Sequence, residues 1–330
     1  MNAQENILVT GSRGLIGGGV VEALGKMGMR SILAPSRQEL DLKDARAVEG
    51  YFALHKPDYV FLLAGVAGGI ARNSLHGAEM MHDNLAIQIN TIRIAYEYRV
   101  RKLLFAGSAC SYPRDCFQPI SPRSLMTGPL EPSSEPFAIA KIAGMKMCQA
   151  YRSLGCNFVC AIPATCYGPG DHFNDNGHVI SSMIHRMHVA KINNRDSVEI
   201  WGTGRVKREF IYRDDLANAL VMLMNKYDEG EIVNVGSGND ISIADLAQLV
   251  KEVVGFPGEL VFDRNKPDGM PRRLLDSSTM TQLGFRAKTP LRTGIQKTYD
   301  WYVQNRSLPD TGSSGSRMRR PPRRCGREKW

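Results

Sequence analysis

Three glycines near the N-terminus have the spacing of a phosphate-binding turn. Gly11, Gly14 and Gly17 form a Gly-x-x-Gly-x-x-Gly pattern directly after the β-branched run Ile7–Thr10. Small residues let such a turn tighten, let a pyrophosphate approach backbone N–H groups at a helix N-terminus, and let the helix pack on the strand. Because the pattern lies between a predicted strand and a predicted helix, it favours a dinucleotide site over a merely structural turn.

Two arginines indicate which dinucleotide binds. At the end of the predicted second strand, where an NAD-selective site usually carries an acid for the ribose hydroxyls, this chain reads Pro35-Ser36-Arg37. Arg37 could bind a 2′-phosphate through paired N–H donors, and Arg13 inside the glycine turn could add a second contact. The pattern favours NADP(H); the alternative is that both arginines face solvent.

A cysteine and a histidine could move protons. Cys110 follows the predicted strand at 102–106, and His178 begins the predicted helix at 178–191. A thiol with an ordinary pKa of about 8.5 can be activated by nearby positive charge, and imidazole titrates near neutrality. Taken alone, however, Cys110 would more often be a small core residue and His178 a polar group at a helix N-terminus.

The elements that must position these side chains alternate along the chain. Predicted buried strands and the helices between them fall at Ile7–Thr10, 31–34, 44–54 (helix), 59–64, 78–98 (helix), 102–106, 135–153 (helix) and 157–161. This alternation predicts an α/β fold with a doubly wound parallel sheet of the Rossmann type.

The chain after Pro163 predicts a second, smaller lobe. Pieces at 208–212, 214–226, 231–235 and 243–254 are in part expected to return to the main sheet. We therefore predict a dinucleotide-binding domain at 1–163, completed by parts of 206–250, and a mainly substrate-binding lobe at 164–305.

Composition narrows the class of protein. With 43% apolar and 23% charged residues, the 330-residue chain has the balance of a globular protein. Its sequence shows neither a membrane-spanning apolar run nor a signal peptide, so we expect a cytoplasmic protein without a membrane partner. The seven cysteines include no Cys-x-x-Cys pair, which suggests neither a disulfide framework nor a metal site.

The net charge of +9 is concentrated at the C-terminus. Within residues 311–330, a Gly/Ser-rich stretch is followed by seven Lys or Arg and one acidic residue. We expect a basic, disordered tail over 306–330 and no nucleic-acid partner. Binding of an anionic partner by the tail is the alternative, which deletion of 311–330 would test.

Four further motifs carry a resemblance to a known family. They are Gly107-Ser108-Ala109-Cys110-Ser111-Tyr112-Pro113, Thr127-Gly128-Pro129-Leu130-Glu131-Pro132, Ala138-Ile139-Ala140-Lys141-Ile142-Ala143-Gly144 and Lys266-Pro267-Asp268-Gly269. Together they resemble the GDP-L-fucose synthases, a family of extended short-chain dehydrogenase/reductases, from about residue 5 to 305. The resemblance implies NADPH, a GDP-linked 4-keto-6-deoxy sugar as substrate, and a homodimer formed through the helices near 78–98 and 135–153.

The implied reaction has two stages at one site. GDP-4-keto-6-deoxymannose is epimerised at C3 and C5 and is then reduced by NADPH at C4. The C4 ketone acidifies the protons on both neighbouring carbons, so one acid/base pair can invert them before the hydride arrives.

The resemblance also assigns roles to individual residues. Cys110 would remove a proton as thiolate, and His178 would supply one from the opposite face. Ser108 would hydrogen-bond the C4 oxygen, and Lys141 would hold the nicotinamide ribose. Lys141 would also lower the pKa of a tyrosine four residues earlier, on the same helix face.

That tyrosine is absent, because position 137 is Phe. Without its hydroxyl, the proton donor for the reduced oxygen is lost, and we expect severely impaired reduction while epimerisation survives. Phe137 could be a substitution introduced to trap a complex, a natural variant reduced to epimerase work, or the mark of a non-catalytic nucleotide-sugar sensor.

The remaining expectations concern the substrate. Arg186, Arg208 and Arg273 suit a diphosphate and Trp201 could cover a nucleotide face, while Asn84 could support the cofactor site or be an ordinary helix-surface residue. Val66 and Thr165 replace a lysine and an asparagine of the family pattern. A related GDP-4-keto-deoxyhexose is therefore an alternative substrate.

Overall fold

The described part of the chain comprises residues 1–175 and 177–305 of a computed structural model, apart from the side chains of residues 70–72 and 74. The predicted tail at 306–330 lies outside the described residues. None of the helices in the described part is long and apolar enough to cross a membrane.

The strands are numbered in chain order. They are β1 (Ile7–Thr10), β2 (Ile32–Leu33), β3 (Tyr59–Leu62), β4 (Lys102–Ala106), β5 (Phe158–Pro163), β6 (Thr165–Tyr167), β7 (Ser197–Trp201), β8 (Lys207–Tyr212), β9 (Val233–Val235), β10 (Asp240–Ser242), β11 (Glu259–Asp263) and β12 (Arg272–Arg273).

The α-helices follow the same numbering. They are α1 (Leu15–Lys26), α2 (Ala45–His55), α3 (Ile70–Glu97), α4 (Glu135–Arg152), α5 (Val179–Ile192), α6 (Arg213–Lys226), α7 (Ile243–Val254), α8 (Ser278–Gln282) and α9 (Leu291–Asn305). Three short 3₁₀ turns lie at Ala109–Ser111, Pro122–Ser124 and Pro132–Ser134.

The main sheet is parallel and has the order β2-β1-β3-β4-β5-β9. Its strands β1 and β4 are buried along their whole length because helices cover both faces, with α1 packed on α6 and α3 packed on α2 and α4. The predicted doubly wound parallel α/β sheet is thereby confirmed.

Several predicted elements have different limits in the structure, among them β2, β3, β5 and α3. β2 is shorter than the predicted 31–34; it is an edge strand, and Pro35, two residues after its end, has no N–H to donate. The helix predicted near 78–98 begins earlier, at Ile70, and bends at His76. The next residue, Gly77, approaches the Pro136 ring so closely that a Cβ there would lie 3.0 Å from its Cγ.

The second half of the chain adds a strand to the main sheet and, with β6, forms two smaller sheets. β9, from the segment predicted at 231–235, joins the main sheet beside β5. β8, predicted at 208–212, instead pairs with β6, β10 and β12, and β7 pairs with β11. A second apolar cluster fills this region between α5, α7 and α9, with Ile184, Leu246 and Ile295 fully buried.

One buried carboxylate joins the main sheet to the sheet that contains β8. Glu209 on β8 accepts hydrogen bonds from the backbone N–H groups of Gly238, after β9, and Leu275, after β12, at 2.7 and 2.9 Å. The carboxyl end of the main sheet therefore faces β8 and β12 at a fixed distance, and ligands of open α/β sheets bind at that end.

Candidate active site

The glycine turn after β1 has no room for side chains at two positions. Gly11 has φ of +68°, and a Cβ there would lie 3.0 Å from the backbone of Ala64. A Cβ on Gly17 would lie 2.1 Å from the carbonyl oxygen of Gly11. Gly14, which precedes α1, brings no capping side chain to the helix N-terminus. The first N–H groups of α1 therefore have no capping side chain, which is what the predicted pyrophosphate site requires.

The turn is tied to the end of β2, where the second predicted arginine lies. The Ser12 hydroxyl donates to the carbonyl oxygens of Ala34 and Pro35 at 3.1 and 3.2 Å. Arg13 and Arg37 flank these bonds and both are exposed. Two guanidinium groups on adjoining segments fit the 2′-phosphate of NADP better than the bare ribose of NAD.

Lys141 is the buried cation of the site. Its Nζ donates to the carbonyl oxygen of Ala106, at the end of β4, at 2.9 Å and lies 4.9 Å from the centre of the Phe105 ring. Burial lowers the pKa of Lys141 to about 8. α4 places Phe137 one turn before it, nearly fully buried, so no hydroxyl projects from the helix at that position.

Asn84 is a core residue of α3 and not an ordinary helix-surface asparagine. Its side-chain amide donates to the carbonyl oxygens of Val66 and Met80 at 2.9 and 2.7 Å and accepts from the N–H of Val66 at 3.1 Å. These bonds fix the segment after β3. A Cβ on the neighbouring Gly65 would meet both Asn84 and Lys141, so this segment adjoins the lysine.

The segment after β4 presents a thiol. Ser108 caps the short 3₁₀ turn and accepts from the N–H of Cys110 at 3.3 Å, while Nη1 of Arg273 donates to the Cys110 Sγ at 3.6 Å. Burial alone would raise the pKa of Cys110. The charge of Arg273, with hydrogen bonds from Ser108 and Ser134, outweighs it and lowers the pKa of this thiol below its ordinary value.

The imidazole is held by a carboxylate. Nδ1 of His178, the residue that precedes α5, lies 2.9 Å from Oδ1 of Asp171. Burial alone would lower the pKa of His178, but the hydrogen bond to Asp171, its charge and the charge of Cys110 raise it. A thiol whose pKa is lowered and an imidazole whose pKa is raised therefore interact through their charges in this site.

The predicted arginines lie on the elements that face the sheet end. Arg208 and Arg273 are paired in register on β8 and β12, and burial, together with the charge of Arg273, lowers the pKa of Arg208 to about 10. Arg186 on α5 donates through Nη1 to the carbonyl oxygen of Glu199 at 2.7 Å. The Nε atoms of Arg186 and Arg273 are buried and have no partner within the described residues. Such donors fit the oxygens of a bound diphosphate.

Trp201 lies at the end of β7 and is partly exposed, with Nζ of Lys266 5.2 Å from its ring. Asp268 accepts from the N–H and hydroxyl of Thr203 in the following turn, and its own carbonyl oxygen accepts from Arg208 at 3.4 Å. The motif containing Lys266 and Asp268 thus connects the Trp201 turn with the arginines.

Sequence reasoning did not identify Asp171 or Ser134 as members of the site. Asp171 lies in an irregular loop rich in Gly, Asp and Asn, where many polar residues face solvent, and no periodic pattern marks the buried one. Its distance of seven residues from His178 also gives no hint of contact, because the loop brings the two together by tertiary folding.

The fold and this arrangement define a class. An open parallel sheet with a glycine turn, a buried helix lysine and a serine after β4 is the scaffold of NAD(P)-dependent epimerases and reductases. The sequence model of the "NAD dependent epimerase/dehydratase family" matches residues 7–236.

Known proteins narrow the class. GDP-L-fucose synthase 1 of Arabidopsis thaliana is 47% identical over 301 residues, 91% of this chain and 93% of that protein. A GDP-6-OMe-4-keto-L-xylo-heptose reductase from C. jejuni has a similar structure, with a TM-score of 0.88, 34% identity and coverage of 92% of this chain and 99% of that one. The NADP-bound GDP-L-fucose synthetase of Naegleria fowleri gives a TM-score of 0.86 at 27% identity, covering 93% and 97%. The chain therefore belongs to the NAD dependent epimerase/dehydratase family and, within it, to the GDP-L-fucose synthases.

Proposed function

We propose that this protein acts on GDP-4-keto-6-deoxy-D-mannose with NADP(H) as cofactor, on the route to GDP-L-fucose. It epimerises the sugar at C3 and C5, and Phe137 impairs the reduction at C4. The observation that carries the proposal is a thiol stabilised by Arg273 together with an imidazole stabilised by Asp171, on which the charge of Cys110 also acts.

The thiol and imidazole have opposite proton preferences. Because the pKa of Cys110 is lowered, a larger fraction of the thiol is ionised near neutrality and can remove a proton from carbon next to a ketone. Because the pKa of His178 is raised, a larger fraction carries a proton that it can give back. An inversion needs these two acts on opposite faces of one carbon.

The residues at the reduction site would hold the cofactor and the C4 oxygen but would not supply a proton to that oxygen. The glycine turn, Arg13 and Arg37 would hold NADPH, whose nicotinamide supplies a hydride when bound. Lys141 would hold its ribose, and Ser108 would hydrogen-bond the C4 oxygen. Phe137 supplies no proton for that oxygen, so its protonation falls to water or to the weakly acidic Ser108 hydroxyl.

The GDP moiety is assigned to the arginines of the lobe. Arg186, Arg208 and Arg273 present guanidinium groups there, and the buried Nε atoms of Arg186 and Arg273 have no partner among the residues that the structure describes. Binding of a diphosphate would complete these hydrogen bonds and compensate the clustered positive charge.

Two other functions remain candidates. Val66 and Thr165 differ from the family pattern near the sugar, and one structural relative is a reductase of a GDP-linked keto-heptose, so a related GDP-4-keto-deoxyhexose is an alternative substrate. The second candidate is a protein that binds a nucleotide sugar without catalysing its conversion, and Phe137 is the best support for it.

We propose a cytoplasmic homodimer with the domain limits given above. The six cysteines in the described part are free thiols, as in a reducing compartment. The two helices expected at the dimer interface, α3 and α4, carry exposed apolar side chains at Ile89, Tyr96 and Ile139.

Incubation of the purified protein with GDP-4-keto-6-deoxymannose in D₂O tests the proposal. Mass spectrometry should detect deuterium at C3 and C5 with little consumption of NADPH. Cys110→Ser should abolish the uptake, whereas Cys156→Ser, a thiol outside the site, should leave it unchanged. Absence of uptake in the unmodified protein would contradict the proposed function.

A further inference from the structure

Asp171 is the buried carboxylate beside the imidazole of the proposed reaction, and its contacts specify what it does for that ring. Only 6% of its surface is exposed, and each of its oxygens has a partner. Oδ1 accepts from the backbone N–H of His172 at 2.8 Å and contacts Nδ1 of His178 at 2.9 Å. Oδ2 accepts a hydrogen bond from the Ser181 hydroxyl in the first turn of α5.

This arrangement determines the tautomer of His178. A carboxylate oxygen can only accept, so Nδ1 must carry a proton and donate it to Asp171. Nε2 is then the nitrogen that remains for exchange with a ligand. The hydrogen bonds from the His172 N–H and the Ser181 hydroxyl hold the carboxylate on two sides. Because the imidazole is bonded to this fixed carboxylate, its rotation is restricted as well.

The charge of Asp171 also opposes an effect of the helix. His178 precedes the first turn of α5, where the partial positive charge of the helix N-terminus disfavours an imidazolium. The two charges that raise the pKa of His178 are those of the Asp171 carboxylate and the Cys110 thiolate. Of these, only the carboxylate lies in direct hydrogen-bond contact with Nδ1, so it is the group that keeps the second ring proton in place.

We infer that Asp171, anchored by Ser181 and the His172 N–H, is a positioning residue that fixes the tautomer of His178 and maintains its proton for return to the sugar carbon. The inference rests on the proposed function. In the reaction, Nε2–H of His178 gives its proton to the carbanionic carbon, the N–H bond breaks as the C–H bond forms, and the neutral imidazole is left bonded to Asp171. Solvent then restores the proton.

The test is the pH dependence of deuterium uptake by the substrate, with Asp171→Asn. An amide keeps the shape of the side chain but removes the charge, so the alkaline limb of the profile should move to lower pH. Near pH 8 uptake should fall by about tenfold or more, and near pH 6 by less. Asp215→Asn is the matched control, because Asp215 is similarly buried and accepts a backbone N–H, from Thr289 at 2.8 Å, outside this site.

A direct titration of His178 by NMR, on histidine-labelled protein, separates this inference from the proposed function. Its midpoint should move to lower pH in Asp171→Asn and stay in place in Asp215→Asn. An unmoved midpoint, or an unchanged pH profile of uptake in a folded Asp171→Asn protein, overturns the inference. If the midpoint shifts in Asp171→Asn but the unmodified protein shows no deuterium uptake, the result contradicts the proposed function and not the inference about Asp171.

Ser181→Ala carries the test if Asp171→Asn does not fold. This variant keeps the carboxylate and its charge but frees one side of it. We expect a several-fold slower uptake with the alkaline limb unmoved; a rate equal to that of the unmodified protein would overturn the positioning role.

Discussion

The two proton-carrying side chains of the site are each paired with a residue of opposite charge. Cys110 is beside Arg273, and His178 is beside Asp171. Each pairing favours the charged form of its member, so a larger fraction of the thiol is ionised and a larger fraction of the imidazole is protonated than in an ordinary cysteine and histidine. Burial opposes both charges, and the partners overcome it.

The pairing of Cys110 with Arg273 predicts how the thiol reacts. Because its pKa is lowered, a larger fraction of Cys110 is thiolate than in an ordinary cysteine. Alkylation of Cys110 by iodoacetamide should therefore be fast at neutral pH, and its rate should level off at a lower pH than that of an ordinary cysteine. Arg273→Gln removes the charge, raises the pKa of the thiol and should slow alkylation at neutral pH by about tenfold. Peptide mass spectrometry gives the rate at each cysteine.

Two controls accompany that measurement. Arg273→Lys retains a charge and should react at nearly the original rate. Cys156, whose pKa is raised by burial, is an internal reference in the same sample. Equal Cys110 rates in the Arg273→Gln and unmodified proteins would show that Arg273 does not activate the thiol.

Prediction from sequence succeeded where a pattern is local and stopped where contacts are tertiary. The glycine turn lies within seven consecutive residues between a strand and a helix, and its steric demands are visible in the order of residues. The partner of Cys110, Arg273, is 163 positions away on β12, and sequence reasoning assigned it to the diphosphate. Only the pairing of β12 with β8 brings it to the thiol.

At the scale of elements, the turn between β1 and α1 requires a residue without a Cβ at position 17. A Cβ on Gly17 would overlap the carbonyl oxygen of Gly11, so Gly17→Ala must displace the turn or the helix. We expect a loss of roughly 1–3 kcal/mol of stability and a markedly weaker affinity for NADPH. Denaturant unfolding and fluorescence titration with NADPH measure the two effects.

Gly25→Ala is the matched control on the same helix. A Cβ at Gly25 meets nothing within 4 Å, so this change should stabilise α1 by up to about 1 kcal/mol and leave NADPH binding unchanged. If Gly17→Ala behaved like Gly25→Ala, close packing of the turn would not be what the glycine provides.

The limits of elements were harder to predict than their existence. β1 and β4 coincide with their predicted limits because each consists of an apolar run with one polar residue at one end, Thr10 in β1 and Lys102 in β4. The start of α3 does not, because the helix continues past His76 through a bend beside Pro136, a contact between distant parts of the chain. The membership of β8 in the smaller sheet likewise depends on its partners β6, β10 and β12.

At the scale of the whole molecule, two layers contribute residues to the site: the main sheet with its helices, and the β8 sheet with α5. Cys110 follows β4 of the main sheet and Lys141 lies on α4, which packs against that sheet, whereas the arginines come from β8, β12 and α5. Glu209 fixes the relative position of the two layers through backbone hydrogen bonds on both sides. A ligand that touches both layers is therefore oriented by the fold itself.

The proposed dimer is tested by changing the surface of α4. Light scattering should give about twice the chain mass of 36.6 kDa for the unmodified protein. Ile139→Glu places a charge on the exposed surface of α4 and should shift the mass toward the monomer, whereas Leu54→Glu, on the exposed surface of α2, should not. A monomer in the unmodified protein would rule out the dimer.

The most direct test of the account is NADPH consumption by the unmodified protein and by Phe137→Tyr, with GDP-4-keto-6-deoxymannose as substrate and deuterium uptake at C3 and C5 followed in the same samples. The account predicts similar uptake in both proteins and reduction about 10²- to 10⁴-fold faster in Phe137→Tyr, because the restored hydroxyl adjoins Lys141 and can protonate the C4 oxygen. Equally slow reduction in both proteins, or uptake in neither, would contradict it.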